Sequence, residues 1–362
     1  MRRTGPGRAA RGHRCSLWLS AVLWCACVQT PEPASEAPAS EAPASGSSTL
    51  KASTSGSSAS ETTTTTSNDD AAIAITDALG RRVELRQPAT RIAALSPGFT
   101  EALFAVGCGD QVVLRDKWSD FPAGGQRLPT VDGAVISVTA VASFRPDLVL
   151  LYFKDDRNTH AFAQLGIPVA VFDPKSYAAV AEMIASIAVL CGRADAGRQL
   201  AAHMRQVAEG VTARVAAQPQ PAPSVYVEVD ASDIARPWTI GREALVTELL
   251  EMAGGRNALA HVRAPYAQVS AEEVLRADPA FVLLLSPGSR DRSERMRELS
   301  QRPGYADLRA IAQGRLIAEV DPDLVVRTGP RLAEGLQALH DALFPTPLET
   351  DRPGDAPLLE GP

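Results

Sequence analysis

The stretch from Arg193 to Ala217 constrains this chain more than any other. It contains no proline, its only glycines are Gly197 and Gly210, and Leu200, Met204, Val207, Ala208, Val211 and Val215 recur at helical spacing. At about 1.5 Å per residue such a helix spans roughly 40 Å, long enough to join two lobes. Short strands and helices alternate on both sides of it, which is the pattern of an α/β protein. The expected architecture is therefore an N-terminal α/β lobe over 72–192, a linking helix over 193–217 and a C-terminal α/β lobe over 218–345.

On the N-terminal side, "AIAITDALGRRVEL" reads as a hairpin turning at Asp77 to Gly80. "RIAALS" is a strand, and Ser96-Pro97 opens the helix "GFTEALFAVG", which stops at Gly107. "DQVVLRD" is the next strand. "PDLVLLYF" and "IPVAVFD" are continuous apolar runs of the kind buried on both faces of a parallel sheet. Beyond "QPQPAP" the alternation resumes with strand "SVYVEVD", helices "REALVTELLEMAG" and "SAEEVLRA", and strand "AFVLLLS". A short strand "RLIAEV" and the helix "GPRLAEGLQALHDALF" complete it.

The ends read differently. Residues 1–26 have a basic start followed by the apolar run "CSLWLSAVLWCAC", the pattern of an export signal, too short to span a bilayer. Cys27, preceded by Ala26, is the expected lipid acceptor, which would make the protein a membrane-anchored lipoprotein of the periplasm or cell surface. Residues 27–70, rich in Pro, Ser, Thr and Ala, have too little apolar surface to offset the entropy of ordering and read as a disordered tether; residues 346–362 read as a disordered tail. The formal charge is −6. Without Arg2, Arg3, Arg8, Arg11 and Arg14 of the leader it becomes about −11, which argues against a nucleic-acid partner. Cys108 and Cys191 have no spacing pattern that decides whether they pair.

Catalytic signatures are absent. His160, His203, His261 and His340 stand singly, with no spacing that would hold a metal, and neither a P-loop nor a G-x-S-x-G motif occurs. No catalytic residue, metal ligand or resident cofactor is expected, and nothing in the sequence supports an enzyme.

In these segments the chain resembles the periplasmic solute-binding proteins of ABC importers for iron–siderophores, haem and cobalamin. "TDALGRRVEL", "RIAALSPGFTEALFAVGCGDQVV", "RPDLVLL", "VSAEEVLRADPAFVLL" and "YADLRAIAQGRLIAEV" follow one another in that family's order across 72–344. The resemblance implies two lobes on a helical backbone, a small-molecule ligand in the cleft between them and delivery to a permease. Within the family, "WSDFP" resembles a cleft loop of the cobalamin binders. On that likeness Pro97, Trp118, Tyr152, Trp238, Tyr266, Asp323 and Arg327 are the expected ligand-binding residues, both tryptophans lying in loops. Gly133 stands where that group can carry a tryptophan. A ferric-siderophore cleft would show several basic groups, for which Arg327, with Arg115 and Lys117 behind it, is the candidate. A haem cleft would use Tyr152 or Tyr266 as iron ligand. The resemblance thus implies a corrinoid, with a ferric siderophore or haem as the alternative ligand, or a receptor presenting its ligand to a sensor partner. It also implies permease docking through Glu272 on the second lobe. The matching first-lobe position falls on uncharged Thr139, with Asp132 seven residues upstream.

Overall fold

The computed structural model describes residues 73–345 apart from 154, 219, 220, 287 and 290. The leader, Cys27, the tether and the tail lie outside the described residues. β1 (Ile73–Thr76) and β2 (Arg82–Leu85) pair antiparallel, and the Asp77 carboxylate fixes their turn by accepting the N–H groups of Leu79 and Arg81, each at 3.0 Å. Five parallel strands follow: β3 (Ile92–Ala94), β4 (Val112–Asp116), β5 (Thr130–Val131), β6 (Leu148–Tyr152) and β7 (Val169–Phe172). Their order across the sheet is β5-β4-β3-β6-β7.

The second sheet is mixed. It comprises β8 (Ser224–Asp230), β9 (Trp238–Ile240), β10 (Arg256–Asn257), β11 (Tyr266–Gln268), β12 (Phe281–Leu284) and β13 (Leu316–Ile317). The order is β11-β9-β8-β12-β13, with β10 also pairing with β8. β9 runs antiparallel to both β8 and β11, while the other pairs are parallel. Trp238 and Tyr266 therefore stand on strands, where sequence had put Trp238 in a loop. At three residues each, β9 and β11 are too short for an alternating pattern to register. The helix Arg292–Ser300, polar over most of its length, also lacked the apolar periodicity that would have marked it.

Side-chain alternation explains how the sheets join. Ile92 and Ala94 of β3, Leu148 and Leu150 of β6, and Val225 and Val227 of β8 all enter one core. Ala93, Val149 and Leu151 enter a separate cluster on the far face of the first sheet, and Tyr226, Val282 and Leu284 do the same on the second. The shared core runs through Ile184 and Ile187 of the helix Tyr177–Leu190 and through Met204 and Val211 of the linking helix to Leu336 and Leu339 of the last helix. The linking helix itself, Ala194–Ala216, ends one residue inside the expected span at each side.

Polar contacts fasten the same region. The Tyr177 hydroxyl donates to the Met204 carbonyl at 2.9 Å, and its backbone N–H donates at 2.8 Å to Glu248, on the helix Leu245–Met252. A carboxylate from the second half thus caps a helix of the first. His340 is buried and donates from Nδ1 to the Ala253 carbonyl at 3.0 Å, a packing role. Cys108 and Cys191 form a disulfide across 83 residues of chain, tying the segment after the helix Pro97–Ala105 to the residues just before the linking helix. Closing a loop of that size restricts the unfolded chain by about 4.5 kcal/mol in the chain-entropy treatment. The double variant Cys108→Ser/Cys191→Ser should lose stability of that order in guanidinium unfolding; a loss below ~1 kcal/mol would mean that the cross-link carries no such constraint.

Candidate functional site

Parallel strands bring their carboxyl ends to one edge, and the loops leaving that edge are where a fold of this kind can build a site. Leu95 and Ser96 after β3, Asp116 and Trp118 at the end of β4, Gly133 after β5, Tyr152 and Phe153 at the end of β6, and Lys175 after β7 all line one cavity. Facing them from the second half are Glu243 to Val246, Pro265, Tyr266 and Val325 to Thr328. The cavity measures about 210 Å³.

Two glycines set how closely its walls approach. A Cβ on Gly98 would come within 2.2 Å of the Thr328 carbonyl oxygen, so the helix Pro97–Ala105 meets the second half backbone to backbone. A Cβ on Gly133 would lie 2.6 Å from the Leu95 carbonyl oxygen and 3.0 Å from the Asp116 carboxylate. No larger residue fits there while Asp116 keeps its place, which is held by N–H donors from Trp118 and from Gly133, each at 3.0 Å. Burial raises the Asp116 carboxyl above its usual range, and those two N–H groups oppose the shift.

An ion cluster, buried except at Asp120, adjoins the cavity through Arg327. Glu101, with a side chain 1% exposed, accepts from Arg331 Nη2 at 2.6 Å and Nε at 3.0 Å, and lies 3.5 Å from Arg327 Nη1. Arg327 also binds Asp120 at 2.7 Å and Asp323 at 2.9 Å. Glu101 and Asp120 belong to the first half, and Asp323, Arg327 and Arg331 to the second. The loop "WSDFP" is thereby clamped between them: Asp120 on Arg327, and Phe121 beneath the Arg331 guanidinium at 4.0 Å from the ring centre. Ser119, fully buried, accepts from the Thr100 hydroxyl at 3.1 Å. Burial works against the Arg331 charge, but the Glu101 carboxylate outweighs it and holds the guanidinium pKa above its usual value. Burial lifts Asp323 to about 6, against the pull of Arg327 and with a further push from Asp120.

The structure brings Pro97, Trp118, Tyr152, Tyr266 and Arg327 to the cavity wall. Asp323 stands behind Arg327 as its ion partner, and Trp238, on β9, is outside the lining. Arg115 donates to the carbonyls of Asp116, Gly125 and Gln126 and is a loop brace, while Lys117 pairs with Asp132 at 2.5 Å. Neither lines the cavity. Glu272 is exposed in the first turn of the helix Ala271–Ala277; the capping box there is made by its neighbour Glu273 with Ser270. Thr139 is exposed as well. Sequence reading missed Glu101, Asp120 and Arg331, whose partners lie more than 200 positions away with no motif linking them. Among the described residues, no group of three or more His, Cys, Asp or Glu side chains could hold a metal ion.

The profile of the family described as periplasmic binding protein matches residues 92–326. The ABC transporter substrate-binding lipoprotein YvrC of Bacillus subtilis strain 168, itself uncharacterised, is 27% identical over 75% of this chain and 86% of its own length. The vitamin B12-binding protein of Yersinia pestis strain Pestoides F is 28% identical over 55% of this chain and 70% of its own. Among solved structures, the periplasmic haem-binding protein RhuT of Roseiflexus sp. RS-1, in its apo form, superposes with a TM-score of 0.61 at 25% identity, over 70% of this chain and 99% of that one.

Asp323 makes the folded protein bind a proton that the unfolded chain, with its aspartate near 3.8, releases earlier. Its contribution therefore favours the folded state at low pH and is lost as pH rises through about 6. Thermal melts from pH ~4 to ~7 should show wild type losing ground to Asp323→Asn as pH rises. A difference between the two that does not change with pH would sink the assignment.

Proposed function

The chain belongs to the periplasmic binding protein family, and on that footing we propose that it captures a corrinoid such as cobalamin between its two sheets and delivers it to the permease of an ABC importer. The relatives it matches are substrate-binding proteins, and the chain is a binding protein rather than an enzyme.

The observation that carries the ligand choice is the pairing of the cavity's charges. Its wall is largely aromatic and aliphatic, with Trp118, Tyr152, Phe153 and Tyr266 around it. Of the two cations among its described lining residues, Arg327 is engaged by Asp120, Glu101 and Asp323, and Lys175 by Asp173 at 2.7 Å. An anionic ferric chelate calls for cations that can turn to it. A corrin ring, apolar at its edges and fringed with amides, calls for flat apolar walls and a few polar groups. The vitamin B12-binding relative supports the same ligand.

The two tyrosines on the wall favour a second reading, haem ligated through a phenolate, as does the likeness to RhuT. Burial pushes the Tyr266 phenol up to about 12, which opposes that ionisation. At about 210 Å³ the cavity is smaller than the ~300–1,000 Å³ that engulfs a ligand, so a macrocycle would keep part of its rim in solvent or part the walls slightly. Export and anchoring at Cys27, followed by the tether 27–70, would keep the domain near its transporter; YvrC's being a lipoprotein supports this.

Cobalamin should quench the intrinsic fluorescence, measured against free tryptophan to correct for absorption by the ligand. Because Trp238 is outside the cavity wall, most of the quench should vanish in Trp118→Phe. Trp118→Ala should weaken binding by about 1–3 kcal/mol in calorimetry. Corrected emission that ignores cobalamin but responds to haem or a ferric siderophore would overturn the corrinoid.

Docking is proposed through the exposed Glu272, since the helix-capping work at that site belongs to Glu273. Glu272→Ala should reduce ligand transport in cells with ligand affinity unchanged, and Thr139→Ala should do much less. Transport intact in both variants would remove the docking role and favour a sensor partner instead.

A further inference from the structure

Three non-glycine residues among those described hold a positive φ: Arg145 at 49°, Asp278 at 37° and Phe153 at 65°. Two have a local reason. Asp278 is the left-handed cap of the helix Ala271–Ala277, and Arg145 directly follows the C-cap of the helix Val138–Ser143. Helices commonly end in this way. Phe153 ends no helix. It follows the strand β6, and a bulky side chain at positive φ is a strained exception in such a place. Strain of this kind persists only where the surroundings impose it.

The surroundings here are well defined. The Phe153 N–H donates to the Phe172 carbonyl of β7 at 3.0 Å, one step beyond the last β6–β7 pair. Tyr152 packs against the Phe153 ring edge-on, with centres 4.3 Å apart and planes at 78°. Lys175 Nζ sits 5.6 Å from the ring centre. Had the chain stayed extended, Phe153 would point to the face opposite Tyr152. Both nevertheless line the cavity. The left-handed turn at Phe153 accounts for that.

We propose that Phe153 is a ligand-contacting wall of this cavity, its backbone strain being the device that puts two consecutive aromatic residues on the same side. The inference rests on the functional reading above, and the group it recognises is the flat apolar face of a macrocycle, beside the cation of Lys175.

The test compares Phe153→Ala, Phe153→Gly and Phe153→Tyr with wild type for binding of cobalamin, with haem as second probe, and for apo melting temperature. Removal of the ring in the Ala and Gly variants should each weaken binding about tenfold or more, and Phe153→Tyr should restore it to within about twofold. In the apo protein Phe153→Gly should melt above Phe153→Ala, the reverse of the usual order, because only glycine enters the left-handed region without strain. Binding within about twofold of wild type in both ring-deleted variants would overturn the contact alone and leave the functional reading standing. Ala melting above Gly would overturn the strained geometry. Failure of wild type to bind either probe would overturn the functional reading and this contact with it.

Discussion

The pairing of Glu101 with Arg331 and Arg327 is the interaction on which the site depends. A carboxylate with a side chain 1% exposed carries two guanidinium groups from a segment 226 to 230 positions later in the chain. Burying three charges is costly, and the cost is met only because each has a close partner; removing one member from such a set typically forfeits ~3–5 kcal/mol. Because Arg327 also holds Asp120 and Arg331 also covers Phe121, the same cluster fixes the loop that carries Trp118. The cavity wall is thus as rigid as the ion cluster behind it.

A second constraint is the shared core. Side chains from both sheets meet across the linking helix and the helix Tyr177–Leu190 in one continuous cluster. Close-packed interiors resist sliding, so large rotation of one half against the other would have to break contacts of Met204 and Val211 on the linking helix. The linking helix has no proline, and of its two glycines Gly197 is buried in the first turns and Gly210 faces open space, which leaves it few causes for a bend. Adjustment on ligand entry is then a matter of loops and side chains at the strand ends.

Charge at the cavity follows the same economy. Asp116 brings together the Trp118 and Gly133 loops through two backbone N–H groups, and its carboxylate with the Leu95 carbonyl leaves no room for a side chain at Gly133. Aromatic surface comes instead from Phe153, at a different strand end. The first-half wall is therefore built at the carboxyl ends of five parallel strands, and residues of the second half, among them Tyr266 and Arg327, face it.

Much of this was legible in the amino-acid order, because it is set by local pattern. The linking helix was found within one residue at each end, and the longer strands β6, β7, β8 and β12 announced themselves as apolar runs. Pro97, Trp118, Tyr152, Tyr266 and Arg327 were marked by the resemblance and do converge on one cavity. The three-residue strands β9 and β11 escaped, being shorter than any period they could display, and with them went the position of Trp238. Pairings between distant residues escaped as well: Cys108 with Cys191, and Glu101 with Arg331, depend on which surfaces meet after folding. The positive φ of Phe153 lay deeper still, since any residue type can follow a strand and only its neighbours in space impose that turn. Local periodicity determined the elements and the helix that joins them; tertiary contact alone decided which charges are buried together and which side chains face the cavity, because those choices are made by partners that the chain brings together only once it has folded.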